Sequence, residues 1–304
     1  MNAILKIGLR CSALLLPFVA YGQEDWEAPL GALPMQYNSS FAGETGSPRL
    51  STVVGLQVHQ NYTSGYRTYA AYDQFIPSIR SGVGLMIGYN YLRVGDEQSG
   101  RYAYKGNGAF FSLAVAPKFS MGGKVTLSPS LDVSLSPFRA HWSQAQVRNQ
   151  SKGYRVGSRV GLLLNTEKFY VGYSVYLVNH FNTRVENDTT DFRGAGRGER
   201  FESYWQLGYT FGRGTESKFS FTPQLVFYTG TDRYTVRRYR LFSPVDFNLS
   251  LRYKKFICGV NATGVHIGWQ TDKLRIIFSD NLQYTRRDDP GYAANIALRY
   301  IFKD

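Results

Sequence analysis

The 304-residue sequence predicts an all-β fold: a transmembrane antiparallel up-and-down β-barrel of about fourteen strands. Three observations predict it. Apolar and polar residues alternate one for one in segment after segment, as in Val125 to Leu135, where Thr126, Ser128, Ser130, Asp132 and Ser134 interleave with the apolar set. Successive strand side chains point to opposite faces, so each segment has one apolar and one small, polar face. Next, the connections sort by parity into short turns and long loops, as in an outer-membrane barrel and not in a soluble sandwich. Last, the first 22 residues read as an export signal, with Lys6 and Arg10, an apolar core from Ala13 to Ala20, and a small-residue cleavage site before Gln23.

That apolar core is too short to span a bilayer and contains Pro17, which argues for a cleaved signal over a retained anchor. Residues 23–48 follow as an N-terminal periplasmic or plug segment, and 49–304 as the barrel. The strands fall near 50–60, 64–76, 81–93, 108–118, 124–136, 154–165, 168–179, 200–212 and 218–229. Five more follow near 245–254, 255–263, 264–271, 273–284 and 292–302. Tight connections (77–80, 119–123, 166–167, 213–217, 254–255 and 272) alternate with mostly long ones (94–107, 137–153, 180–199, 230–244 and 285–291). With no Pro/Ser-rich linker, the pattern is that of a single domain.

Face assignments follow from the period. In the tenth strand Val245, Phe247, Leu249, Leu251 and Tyr253 would face lipid, and Asp246, Asn248, Ser250, Arg252 and Lys254 the lumen. In the last, Ile296, Leu298, Tyr300 and Phe302 form the lipid stripe, opposite Asn295, Arg299 and Lys303. The aromatic share of 15%, with 23 Tyr and 20 Phe, suits girdles at two membrane surfaces. No stretch after the signal approaches the apolar length of a membrane helix.

The formal charge is +13, of which Lys6 and Arg10 would leave with the signal. An exported chain rarely meets nucleic acid, so the surplus points to acidic lipid headgroups, lipopolysaccharide phosphates or an acidic protein. Outer loops carry the clusters Arg139 and Arg148; Arg184, Arg193 and Arg197; Arg233, Arg237, Arg238 and Arg240; and Arg286 and Arg287. Arg suits bidentate phosphate or carboxylate contacts, and solvated loop charge is the plainer reading. Asp132, Arg155, Arg159, Arg252 and Asp280 are expected in the lumen, where they could pair, hold a plug or line a pore.

Catalytic signals are weak. His59, His141, His180 and His266 are scattered with no metal-ligand spacing, so no metal or cofactor is expected. His141, His180, Asp188 and Asp191 fall in outer loops, where a hydrolase site would need converging groups. Gly82, Gly84 and Gly88 are one residue too widely spaced for a dinucleotide fingerprint, and inside a strand they ease curvature or leave lumen space. Gly194, Gly196 and Gly198 read as a pliant polar loop. After signal removal only Cys258 remains, which excludes an internal disulfide.

The stretch Met35-Gln-Tyr-Asn-Ser-Ser-Phe-Ala-Gly43, followed by Pro48-Arg-Leu-Ser51, resembles the start of the PorP/SprF family. That family typically has Asn-Pro-Ala-Phe/Tyr-Ala-Gly before its first strand. This chain keeps Asn38, Phe41, Ala42 and Gly43, with Ser39 and Ser40 in place of Pro-Ala, which marks a divergent member. Tyr72-Asp-Gln74 and Ser81-Gly-Val-Gly-Leu85 resemble the family's second hairpin. The resemblance implies an outer-membrane barrel of the type IX secretion and gliding machinery of Bacteroidota, without enzymatic activity. Its implied partners are a periplasmic ring with its tethering proteins, or cargo bearing C-terminal sorting domains. Asn38, Phe41, Ala42 and Gly43 are then candidate partner-binding residues, with a turn that seats the first strand as the alternative. A passive porin is the competing function.

Overall fold

The computed structural model describes residues 33–59, 63–94, 103–144, 147–186, 199–212, 218–231, 245–261, 264–284 and 290–302. The signal-like stretch and most of the basic loop clusters lie outside these, as do Asp188, Asp191 and the glycines at 194–198.

The strands are β1 (Arg49–His59), β2 (Thr63–Ile76), β3 (Ser81–Val94), β4 (Ala103–Pro117), β5 (Phe119–Met121), β6 (Val125–Gln144), β7 (Val147–Asn165) and β8 (Phe169–Glu186). They continue with β9 (Glu199–Tyr209), β10 (Phe219–Thr231), β11 (Val245–Tyr253), β12 (Phe256–Asn261), β13 (Gly264–Gln270), β14 (Leu274–Tyr284) and β15 (Pro290–Ile301). Each pairs antiparallel with its neighbours in the barrel wall. Both β4 and β5 pair with β6, so these fifteen strands make fourteen staves, and β1 pairing with β15 closes the barrel. At the seam Arg49 lies opposite Ile301, and the Phe302 N–H donates to the Pro48 carbonyl at 2.9 Å.

The alternation read from the sequence is the alternation of faces. On β6, Ser128, Ser130, Asp132 and Ser134 are buried while Leu131, Val133 and Leu135 are about half exposed, at 46–55%. The same outward apolar stripe continues through Val54 and Leu56, Leu85 and Ile87, Val160 and Leu162, Val265 and Ile267, and Ile296. No water-soluble monomer presents so continuous an apolar surface, and it matches a lipid-facing belt. At the tight-turn rim the belt ends in outward aromatics, among them Phe119, Phe211, Phe219, Tyr253, Phe256 and Phe302. Toward the opposite rim Tyr66 stacks on Tyr89 and Tyr91, with ring centres 5.8 and 5.4 Å apart. Among the described residues no helix is long and apolar enough to cross a membrane; the chain crosses with strands.

The tight turns, three residues at 122–124 and two at 254–255, use left-handed backbone forms. Gly122 and Gly123 take φ of 65° and 80°, and Lys254 takes φ 53° in the Lys254–Lys255 turn. The opposite rim departs from expectation. Residues 137–153, read as a loop, mostly continue β6 and β7, while β4 begins at Ala103 and β8 runs to Glu186. The twenty residues of β6 are about twice what crossing a bilayer requires. Its outward side chains change from Leu135 to exposed Arg139 and His141, so the projecting part is held by strand pairing with β7, not by apolar burial. An apolar period cannot reveal such a strand, because its outer face is polar.

Candidate functional site in the lumen

Residues 33–43 run inside the barrel, in its tight-turn half, and 44–48 lead from its rim into β1. Two short 3-10 turns, Pro34–Gln36 and Ser39–Phe41, form this segment. Leu33, Met35, Tyr37, Asn38, Ser39, Ser40, Phe41 and Ala42 are all at most 5% exposed. Pro34 begins the first turn, where its missing N–H costs nothing, and Asn38 caps the second by accepting the Ser40 N–H at 3.0 Å.

A non-strand segment inside a barrel leaves carbonyls that neither sheet nor water satisfies. Wall side chains satisfy four of them. Arg159 Nη1 donates to the Met35 carbonyl at 2.9 Å and Ser174 Oγ to that of Tyr37 at 2.6 Å. Lys118 Nζ donates to the Ser40 carbonyl at 2.7 Å and Arg49 Nη2 to that of Phe41 at 3.2 Å. In the other direction, Asn38 Nδ2 reaches the Leu162 and Tyr173 carbonyls at 3.3 and 3.4 Å. The Ser39 and Ser40 hydroxyls both meet Ser130 Oγ, at 2.9 and 2.8 Å. That contact gives a physical reason for serines at the two positions where the Pro-Ala pair would offer no hydroxyl.

Apolar contacts complete the fit. Leu33 packs with Val53, Ala71, Met86, Ile277 and Ala297. Met35, Phe41 and Ala42 pack with Ala114, Ala116 and Leu163. Phe41 stands edge-on to Tyr170 at 5.4 Å, and Tyr37 edge-on to Tyr204 at 5.9 Å. Small wall residues make the room. A side chain on Gly82 would strike the Ala42 carbonyl, and one on Gly84 the Met35 methyl.

The segment leaves the lumen through Gly43, whose φ of 67° favours glycine and whose N–H donates to Asp73 Oδ1 at 2.8 Å. Asp73 also receives Arg49 Nε at 2.7 Å and Nη2 at 3.0 Å, a bidentate pair buried to 1% and 2% exposure. Glu44, Thr45 and Gly46 then emerge as an exposed knuckle at the rim, with Glu44 accepting from Asn165 Nδ2 at 2.9 Å.

The structure thus brings Asn38, Phe41, Ala42 and Gly43 together, as wall contacts buried in the barrel. Of the lumen charges, Asp132 accepts a short hydrogen bond from Ser112 and lies opposite Arg159, which also rests 4.8 Å from the Tyr176 ring. Arg155 lies over Phe138 at 4.9 Å, and Arg252 faces inward beside Ile257. Asp280 is a correction. It shares the outward face with exposed Phe278, because Ile277 and Ser279 take the inward positions of β14. Sequence reasoning passed over Arg49, Asp73 and Lys118 as functional residues. The signal for two of them was present, since Arg49 and Asp73 sit inside the words Pro48-Arg-Leu-Ser51 and Tyr72-Asp-Gln74.

Of the four histidines, His266 is buried and meets Ser250 Oγ at 2.9 Å through Nε2, and His141 is exposed on β6. Among the described residues no three His, Cys, Asp or Glu side chains converge as metal ligands. Cys258 is exposed on the outward face of β12.

Comparison with known proteins agrees with this architecture. The sequence model of the family described as "Type IX secretion system membrane protein PorP/SprF" matches residues 31–300. No curated protein matches the chain. Among solved structures, the toluene transporter TbuX of Ralstonia pickettii superposes with a TM-score of 0.53 at 12% identity, covering 93% of this chain and 97% of its own. The toluene transporter TodX of Pseudomonas putida gives 0.50 at 9% identity, covering 93% and 96%. The CymD monoaromatic hydrocarbon channel gives 0.50 at 11%, covering 91% and 94%. At such identities the likeness is one of fold alone.

Proposed function

Because the chain belongs to the PorP/SprF family of type IX secretion system membrane proteins, we propose that it is a non-enzymatic outer-membrane anchor for that machinery. The lipid belt fixes it in the membrane, and the tight-turn rim, read as periplasmic, docks periplasmic ring or tethering partners or sorting-domain cargo. One observation carries this reading: residues 33–43 are held in that half of the lumen by wall side chains that meet four of their carbonyls.

Asn38, Phe41, Ala42 and Gly43 then serve partners indirectly. They hold the knuckle of Glu44, Thr45 and Gly46 at a fixed place on the rim. A porin would instead use the lumen as a path, and a segment buried against the lumen wall favours the anchor. The test is a photo-crosslinking residue at position 45 in native outer membranes, with captured chains identified by mass spectrometry. Capture of secretion-ring, tethering or sorting-domain chains is expected. Crosslinks confined to lipopolysaccharide or to unrelated envelope proteins would overturn the docking role.

A further inference from the structure

Toward the long-loop rim the lipid-side face of the barrel turns basic. Arg93 on β3, Lys105 on β4, Arg139 and His141 on β6 and Lys152 on β7 share the outward face with Ile87, Phe111, Leu135 and Val156. Arg93, Lys105, Arg139 and His141 are exposed, and Lys152 is half-buried. The register draws them together. Arg93 lies opposite Lys105, and Lys105 opposite His141. One outward position nearer the apolar belt, Asn107 lies opposite Tyr91 and Arg139, and Arg139 opposite Lys152. Strand spacing sets the five side chains in one patch roughly 15 Å wide.

Two of these pairings put like charges side by side, Arg93 with Lys105 and Arg139 with Lys152. Such pairs weaken a sheet. Strands β3, β4, β6 and β7 together contain one carboxylate, Asp132, and it is buried on the lumen side. A local rule broken in this way marks a functional surface, one whose charge answers an external anion.

Position decides which anion. The patch begins where the aromatic stack of Tyr66, Tyr89 and Tyr91 ends, and Lys105 Nζ lies 5.9 Å from the centre of the Tyr91 ring. Tyr154, two residues from Lys152 on the same face, is exposed beside it. Interfacial tyrosines sit at the level of lipid headgroups. Cations one or two positions beyond them, pointing sideways from the barrel, meet membrane lipid before they meet a soluble protein. Arg and Lys suit phosphate oxygens, and the His141 ring adds a donor. Below the patch Ile87, Phe111, Leu135 and Val156 stand in one register row, an apolar track for acyl chains. Because the cations stand on paired strands, their spacing is set before a ligand arrives.

We propose that this outward face of β3, β4, β6 and β7 binds the phosphorylated sugar headgroup of lipopolysaccharide in the outer leaflet. The assignment shares with the anchor reading only the orientation that makes the tight-turn rim periplasmic.

The experiment uses the full chain, purified in detergent and stripped of co-purified lipid, with bisphosphorylated lipid A as the probe. It reads affinity and thermal unfolding. The parent is expected to bind lipid A and to gain Tm with it, and lipid A lacking one phosphate should bind more weakly. The double variant R93Q/R139Q should bind lipid A about tenfold or more weakly. Its lipid-free Tm should equal or exceed the parent's, because both like-charge pairs are relieved, whereas purely structural arginines would give a fall. Arg139→Gln alone should give a smaller loss of binding. K124Q/K168Q, which removes two exposed cations at the other rim, should leave affinity unchanged. Equal affinity of parent and R93Q/R139Q, an equal loss in K124Q/K168Q, or a fall in lipid-free Tm would overturn the proposal. So would inorganic phosphate or phosphatidylglycerol matching lipid A. Crosslinking from position 45 reads the opposite rim, so a failure here leaves the anchor reading standing.

Discussion

Asp73 binds Arg49 through both carboxylate oxygens, at 2.7 and 3.0 Å, and through one of them also takes the Gly43 N–H at 2.8 Å. One side chain on β2 thereby ties the first residue of the barrel to the exit of the lumen segment. Arg49 extends the tie by donating to the Phe41 carbonyl. Removing the carboxylate leaves a buried guanidinium without its partner, a loss of about 3–5 kcal/mol. Asp73→Asn should therefore expose the N-terminal segment to protease in the folded barrel, read as cleavage between residues 33 and 48 with the barrel fragment intact.

Gly82 and Gly84 should differ in their tolerance of alanine. A methyl on Gly82 meets backbone, the Ala42 carbonyl, which has little room to yield. A methyl on Gly84 meets the end of the Met35 side chain, which can turn aside. Gly82→Ala is expected to displace the segment and raise its protease sensitivity strongly, and Gly84→Ala only slightly.

Ser130 is the wall partner of two hydroxyls at once. Ser130→Ala leaves both Ser39 and Ser40 unmatched in a buried site, at a cost of about 1–3 kcal/mol. Adding Ser39→Ala and Ser40→Ala should restore part of that loss. A comparison of unfolding midpoints between the single and combined variants checks it.

The belt and the lumen should respond oppositely to charge. Val133 faces outward at 53% exposure, and Val133→Arg should cost about 2–4 kcal/mol near the membrane midplane. Asp280 already stands on the outward face, so Asp280→Leu should be neutral or stabilising, the reverse of what a lumen ion pair would give. Refolding equilibria in lipid vesicles distinguish the two.

How much of this was legible in the sequence follows from what each residue's pattern could carry. The strand period placed Leu131, Val133 and Leu135 outward and Ser128 to Ser134 inward, because one-sided lipid exposure enforces strict alternation. The same period failed for the far end of β6, where Arg139 and His141 turn outward while Phe138 and Ala140 turn inward, so the outer face is polar. Charge, and not the period, misassigned Asp280: parity with Phe278 puts it on the outward face, but an acidic residue in a strand was read as interior. The segment from Met35 to Gly43 was visible as a word, and its place before the first strand allowed a periplasmic or a plug role. Its partners were not visible, since Arg159, Ser174 and Lys118 meet it across more than seventy residues of sequence.

The most direct test of a closed lumen is single-channel recording in planar bilayers, comparing the unaltered chain with Asp73→Ala and with a chain lacking residues 33–47. The expected result is little or no steady current from the unaltered protein and large openings from both variants. A large, steady current from the unaltered chain, unchanged when the segment is removed, would contradict a lumen held shut by residues 33–48 and would favour a porin.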